Sequence, residues 1–190
     1  MIRAACILLT ALLLSACAGP APDSSRPTAW LKPGVKVTLP PPGIRPAFQQ
    51  QQLLTGQVKG QSQSLLVLLS ADEQQIDLAG LSSVGIRLFS LRYDASGIHT
   101  QQLMPLPQMP PASQVLADIM LSYWPLDAWQ KQLPPGWKLQ DKGLKRQLMD
   151  ADNQLVTEID YLQRGNQRQP VSIRQHAFGY QIRIQHLDAS

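Results

Sequence analysis

"ASQVLADIMLSYWPLDAWQKQLPPGW", residues 112–137, decides the fold, because it interrupts a chain that is otherwise patterned as strands. Pro125 divides this segment, and a proline ends or kinks a helix. The sequence therefore predicts an amphipathic helix before Pro125 and a second, shorter helix over 126–133. The apolar side chains of the first helix recur with the spacing of one helical stripe: Val115, Leu116, Ile119, Met120, Tyr123 and Trp124.

Three of the four tryptophans lie in this segment, namely Trp124, Trp129 and Trp137. Such crowding is typical of a stacking platform for a ligand, of a membrane anchor, or of a protein core. The helical period places Tyr123 and Trp124 on the apolar stripe, which favours a helical lid whose rings close over a sheet. We expect Trp124 and Trp129 to face inward and Trp137 to begin the return strand.

Apolar and polar residues alternate with period two on both sides of the helices, which predicts strands. The pattern is clearest over 155–161, 171–177 and 180–185, and apolar runs at 64–70 and 84–94 predict further strands. Strands with one apolar face form an antiparallel sheet that must bury this face, here against the helices. The predicted order is about five strands, two helices and about five strands. The fold class is therefore α+β: a curved antiparallel sheet, an incomplete β-barrel, lidded by the inserted helical segment.

The N-terminus has the features of a bacterial lipoprotein signal. Arg3 precedes an apolar run over 4–14, which is shorter than the roughly 20 residues that a membrane-spanning helix needs. "LSAC" (14–17) resembles a lipobox, in which the cysteine is acylated and becomes the mature N-terminus. The alternative is an ordinary cleaved signal peptide followed by a chance cysteine. The chain has two cysteines, Cys6 in the segment to be removed and Cys17 at the lipidation site, which excludes a disulfide or a catalytic thiol in the mature chain.

The composition divides the rest of the chain into a tether and one domain. Residues 17–46 are rich in proline and predict a lipidated, semi-extended tether, although Trp30 and the alternation over 35–39 indicate that part of it docks as an edge strand. Residues 47–190 predict a single domain. Without Arg3 the net charge is +3, from 16 Lys and Arg against 13 Asp and Glu. This mild excess is spread along the chain, so no nucleic-acid partner is predicted.

From about residue 48 to 188 the chain resembles the LolA/LolB fold, and most closely an uncharacterised family of bacterial lipoproteins related to LolB. Besides the lipobox, four stretches carry this resemblance: 76–94 ("IDLAGLSSVGIRLFSLRYD"), 116–137, 155–161 and 170–187. The resemblance implies an incomplete antiparallel barrel around an apolar cavity that accepts acyl chains. It also implies an apolar residue on an exposed loop between adjacent strands, which acts at the membrane in transfer. Leu81 falls in the matching loop, where the alternative is a tight turn with Leu81 packed inward.

A lipid-binding cavity between sheet and helices would be lined by apolar side chains, although the same stripes are also what core packing produces. The candidate ligand-binding residues are Leu66, Leu68, Ile86, Leu88, Leu116, Ile119, Met120, Tyr123, Trp124 and Trp129.

The sequence shows no credible catalytic set, and no enzyme activity, cofactor or metal is predicted. "GLSSVG" (80–85) has the wrong spacing for a nucleophile elbow. His99, His176 and His186 lack metal-type spacing, although the last two would come close if their strands paired. Glu158 and Asp160 share an outward strand face, where solvated carboxylates are expected.

Two functions remain open. The first is an outer-membrane lipoprotein, facing the periplasm, that binds or transfers a lipophilic ligand such as an acyl chain, a lipid or a lipoprotein. In Gram-negative lipoproteins an Asp after the acylated cysteine favours retention in the inner membrane. Here Ala18 follows the cysteine, so we expect the outer membrane. The second is a non-catalytic structural or assembly lipoprotein that docks an envelope protein. In both, the acylated Cys17 is the membrane contact.

Overall fold

The structure is a computed structural model that describes residues 26–104 and 110–187. Seven strands precede two helices, and five strands follow them. The first seven strands are β1 (Thr28–Lys32), β2 (Val35–Thr38), β3 (Phe48–Val58), β4 (Gln61–Ala71), β5 (Ile76–Leu81), β6 (Arg87–Asp94) and β7 (Gly97–Gln102). The remaining elements are α1 (Ala112–Tyr123), α2 (Leu126–Gln130), β8 (Lys138–Lys142), β9 (Lys145–Met149), β10 (Leu155–Arg164), β11 (Gln167–Gln175) and β12 (Tyr180–His186).

Ten of the strands form one antiparallel sheet in the order β7-β6-β5-β4-β3-β12-β11-β10-β9-β8. The chain lays down one half as a meander from β3 to β7 and the other as a meander from β8 to β12, and β12 joins β3 at the centre. β7 and β8 are the two edges, so the sheet is not closed. The predicted mostly antiparallel sheet with two short inserted helices is confirmed, and the open sheet is compatible with the predicted incomplete barrel.

Alternation along each strand decides which side chains face the helices. In β4, Val67 and Leu69 are buried while Leu68 between them is exposed, as expected for side chains that alternate across a sheet. In β6 the buried positions are Phe89, Leu91 and Tyr93. These inward side chains join those of β5, β10, β11 and both helices in one hydrophobic core.

A small hairpin completes the core. β1 and β2 pair with each other as a separate two-stranded sheet, and their inward side chains Leu31 and Val37, with Leu39 just beyond, are buried in the main core. Lys32 also reaches Asp150 in the β9–β10 turn, with Nζ 2.7 Å from Oδ2. Within the segment predicted as a tether over 17–46, residues 28–38 form a folded hairpin, because their alternating apolar side chains are buried in the core. It is not the edge strand that the alternation indicated.

One close approach in the sheet requires a glycine. Gly80 in β5 lies opposite Phe89 in β6, and the Phe89 ring covers it. A Cβ atom at position 80 would lie 2.1 Å from Cε1 of Phe89, which is far inside van der Waals contact. The absence of a side chain at Gly80 thus gives the ring its buried position.

Candidate functional site

The predicted inward side of the helical segment is confirmed. Leu116, Met120, Trp124 and Trp129 are at most 1% exposed, and Ile119 and Tyr123 are partly buried against the same core. The indole Nε1 of Trp124 donates to the carbonyl of Pro41 at 3.1 Å. Both indoles thus occupy the space between helices and sheet where the sequence predicted an apolar ligand cavity.

Side chains from distant strands satisfy the carbonyls at the C-terminal end of α1, where the helix itself supplies no donors. Arg146 in β9 donates from Nη1 to the carbonyls of Leu121 and Trp124 at 2.9 and 2.7 Å. The hydroxyl of Tyr161 donates to the Ser122 carbonyl at 2.7 Å. A cation also interacts favourably with the negative end of the helix dipole. Arg146 and Tyr161 therefore fix the position of the helical lid on the sheet.

A buried carboxylate joins α1 to the other half of the sheet. Asp118 is 4% exposed and accepts hydrogen bonds from Gln175 Nε2 and from the hydroxyl of Tyr180, both at 2.6 Å. Thr157 in turn donates to Gln175 Oε1 at 2.8 Å. Burial raises the pKa of Asp118 to about 6, although the two hydrogen bonds oppose this shift. This contact between α1 and the sheet thus contains a carboxylate whose two hydrogen-bond donors are both uncharged.

Tyr123 makes a second polar contact between α1 and the sheet, here to β3. Its hydroxyl donates to Gln50 Oε1 at 2.6 Å and accepts from Gln52 Nε2 at 2.8 Å. The Tyr123 ring stacks on Phe48 with ring centroids 4.8 Å apart. Burial raises the pKa of Tyr123 well above its usual value. The glutamines of the sequence "FQQQQLL" (48–54) are therefore not all solvated, since two of them hold the helix.

The other predicted lining residues do not face the helices. Leu68 is 43% exposed on the opposite face of β4, and Ile86 is exposed in the loop before β6. Leu66 shares the strand face of Leu68 and is half-buried. Leu88, at the start of β6, is the exception, because it is partly buried and packs against the core. The predicted phase of β4 was wrong because Leu65 to Leu69 form a continuous apolar run, whose alternation is undecided until the strand pairs.

The loop between β5 and β6 presents a different apolar residue from the predicted one. Leu81 is the last residue of β5, half-buried and paired with Leu66 and Arg87. Val84 in the loop is 78% exposed. The loop is closed by two backbone hydrogen bonds, in which the Gly85 amide donates to the Ser82 carbonyl and the Ser82 amide donates to the Ile86 carbonyl. The strand pairing hides Leu81 and leaves Val84 as the protruding side chain.

Four exposed apolar residues gather at this end of the sheet, and we call them the apolar rim. The amides of Leu103 and Met104, which follow β7, both donate to the carbonyl of Leu88, so the two residues lie beside the start of β6. The loop over 82–86 leads directly into the same strand. The members of the apolar rim are Val84, Ile86, Leu103 and Met104, each more than half exposed.

A concavity of about 1290 Å³ lies on the sheet face that points away from the helices. Its lining is mixed: Leu68 contributes apolar surface, while Asp77 and Arg92 form an ion pair with Nε and Oδ1 2.7 Å apart. Glutamine and serine side chains from β3, β4, β6 and β7 supply much of the remainder. This surface is suited to polar contacts and differs in face and character from the predicted apolar cavity.

The comparison with protein families covers most of the chain, since one family model matches residues 49–188, from the first residues of β3 to just beyond β12. The chain belongs to the family DUF3261, described as proteins of unknown function. No curated protein matches the sequence. The DUF3261 match contains both helices and the whole ten-stranded sheet apart from Phe48. The β1–β2 hairpin lies before the matched residues.

One group in the DUF3261 domain has the residue types of a catalytic triad without its geometry. In the turn after β6, Ser96 Oγ lies 2.5 Å from Asp94 Oδ1 and 2.7 Å from His99 Nε2. In a triad the carboxylate orients the other imidazole nitrogen, whereas here Asp94 approaches Nε2 itself, at 3.5 Å. The arrangement is a hairpin turn fastened by its own side chains.

The remaining polar candidates lie apart from one another. His176 and His186 lie at opposite ends of the β11–β12 pair, so the expected proximity was wrong. Glu158 is buried rather than solvated, because it accepts from Lys145, Gln147 and Arg174, and the hydrogen bond from Gln147 is the main cause of its lowered pKa.

Within residues 26–104 and 110–187, no cluster of potential metal ligands occurs, and no helix has the length and apolarity that a bilayer crossing requires. The leader over 1–16 and Cys17 lie outside the described residues.

Proposed function

We propose that this chain is an outer-membrane lipoprotein, anchored through acylated Cys17, that binds or transfers a lipophilic ligand, with a fold related to that of LolB. The observation that carries the proposal is the apolar rim. Four apolar side chains exposed together are unfavourable in water, and contiguous patches of this kind mark contacts with lipid, ligand or protein. Val84, at the tip of its loop, takes the role in lipid contact that the resemblance assigned to Leu81.

The filled core defines how such a ligand would be held. Trp124 and Trp129 occupy the interior, so an acyl chain first contacts the apolar rim and enters further only if α1 moves. Each buried methylene contributes about 0.8 kcal/mol, and an apolar surface of this kind discriminates little between head groups. Lipids with the same chains and different head groups should therefore bind alike.

The experiment uses residues 18–190, which contain every described element and neither cysteine. The organic extract of the purified protein is analysed by mass spectrometry, and displacement of a bound apolar dye by fatty acids is titrated. Val84→Ser should weaken dye and fatty-acid binding by about tenfold, because the loss of apolar contact at one side chain is worth on the order of 1.5 kcal/mol. The matched control is Leu162→Ser, which removes a 47% exposed leucine from β10 and should leave binding unchanged.

A second candidate function is favoured by the same filled interior: a non-catalytic assembly lipoprotein that docks an envelope protein. A core without room for an acyl chain needs no ligand, and the polar concavity offers hydrogen-bonding groups to a protein surface. Absence of co-purified lipid, together with dye binding that neither fatty acids nor Val84→Ser alter, would reject the lipid proposal in favour of this one.

A further inference from the structure

The two edges of the ten-stranded sheet differ in how they are protected. β8, "KLQDK", carries Lys138, Asp141 and Lys142, and each edge strand has a helix nearby, α2 at β8 and α1 at β7. β7, "GIHTQQ", carries no Lys, Arg, Asp, Glu or Pro, and most of its residues are exposed. Charges, especially lysine, and prolines are the usual devices that keep an edge strand from pairing with another chain. β7 therefore lacks the charged side chains that protect β8.

The pairing of β7 with β6 shows which of its backbone groups are free. The amide of Leu103 donates to the carbonyl of Leu88 at 2.8 Å, in register with the pair formed by Phe89 and Gln102. In an antiparallel ladder every second residue bonds its partner, and the residues between point the other way. Ile98, Thr100 and Gln102 consequently direct their amides and carbonyls away from β6. Among the described residues, no strand pairs with that side of β7.

This edge is complementary to itself. A twofold axis at Thr100 places Ile98 opposite Gln102 of the partner subunit and His99 opposite Gln101 of the partner subunit. No like charges meet, and the outward groups of the two strands form about six backbone hydrogen bonds. The same operation on β8, about Gln140, places Lys138 opposite Lys142 of the partner subunit, and directly opposed like charges are destabilising.

We propose that β7 is a dimerisation edge that pairs antiparallel with β7 of a second copy, which extends the sheet across two subunits. Such an interface is isologous and closes on itself, as in most soluble homodimers. The inference goes beyond lipid binding and does not depend on it. An unrelated extended peptide on the same edge is the competing occupant, and the test separates the two because it contains only this chain.

The first measurement is amide hydrogen exchange on residues 18–190, recorded over roughly a hundredfold range of protein concentration, which shifts a dimer equilibrium by mass action. We expect the amides of Ile98, Thr100 and Gln102 to become protected as the concentration rises, in step with a doubling of the mass measured by light scattering. The amides of His99 and Gln101 bond β6 and should be protected throughout. A monomer at every concentration with rapid exchange at the three outward amides would overturn the proposal.

A matched pair of variants tests the strand itself. Thr100→Pro removes an amide that points outward and spares the bonds to β6, a position at which edge strands tolerate proline. It should abolish the dimer and retain cooperative unfolding. Thr100→Val keeps the amide and should dimerise like the parent chain. A Thr100→Pro variant that still doubles in mass would show that the subunits meet elsewhere.

Discussion

Replacing Asp118 with asparagine tests the polar joint between α1 and the sheet. The carboxylate is buried between two uncharged donors, and burial raises its pKa from 3.8 to about 6. In the unfolded chain the aspartate keeps its ordinary pKa, so between about pH 4 and 6 the folded protein holds a proton that the unfolded chain has released. At about 1.4 kcal/mol per pKa unit, the buried charge costs the fold about 3 kcal/mol at pH 7.

The sign of the effect follows from the raised pKa. The contribution of Asp118 to stability is most favourable below about pH 4, falls as the pH rises to about 6, and is constant above it. Asp118→Asn has the same shape and no charge, and the Tyr180 hydroxyl can accept a hydrogen bond from the new amide. We expect the variant to be more stable than the parent chain by up to about 3 kcal/mol at pH 7, with the advantage lost by about pH 4.

The assay is urea denaturation of both proteins across this pH range, with the free energy of unfolding extrapolated to water. Other carboxylates also titrate between these limits, so the informative quantity is the difference between the two proteins. Asp152→Asn removes the same charge from an exposed turn and controls for net charge. A stability difference for Asp118→Asn that stays constant with pH would refute the reasoning, because the pKa of Asp118 would then be the same in the folded and the unfolded chain.

Three further changes are measured by the same denaturation assay. Arg146→Ala should cost about 3 kcal/mol or more, because it leaves buried carbonyls of α1 without donors, and a loss below 1 kcal/mol would show that water replaces the guanidinium. Gly80→Ala should cost about 1–3 kcal/mol by displacing the Phe89 ring, whereas at Gly56 in β3 an added Cβ would meet only the Gln63 carbonyl, at 3.9 Å, so Gly56→Ala is the matched control. Leu39→Ala should cost about 2–5 kcal/mol if the hairpin belongs to the core, and no change would indicate that the hairpin detaches freely.

The parts of the fold that the sequence predicted are those with a regular period. The helical stripe places α1 almost to the residue, since the segment over 112–124 contains the observed Ala112–Tyr123. The alternating strands β10 and β12 are likewise found where expected. β3 was missed because its run of glutamines has no apolar alternation, and its place beside β12 comes from long-range pairing.

The joint around Asp118 also could not be predicted from the sequence. Asp118 is flanked by apolar residues of α1, where a charged residue is expected to face water. It is buried because Gln175 and Tyr180, about sixty residues later, lie on strands that pack against it. The protruding residue of the β5–β6 loop follows the same logic, since only the register of that pair shows that Leu81 is inside the strand and Val84 outside it.

The packed β1–β2 hairpin sets how far the domain can travel. The first described strand begins at Thr28, so ten residues, 18–27, separate an anchor at Cys17 from it. Even fully extended, ten residues span about 35 Å, which is little more than the thickness of a bilayer's apolar layer. In a lipidated form of this protein the domain would therefore stay close to the membrane that carries the anchor. A ligand or partner located farther away would have to be delivered to it.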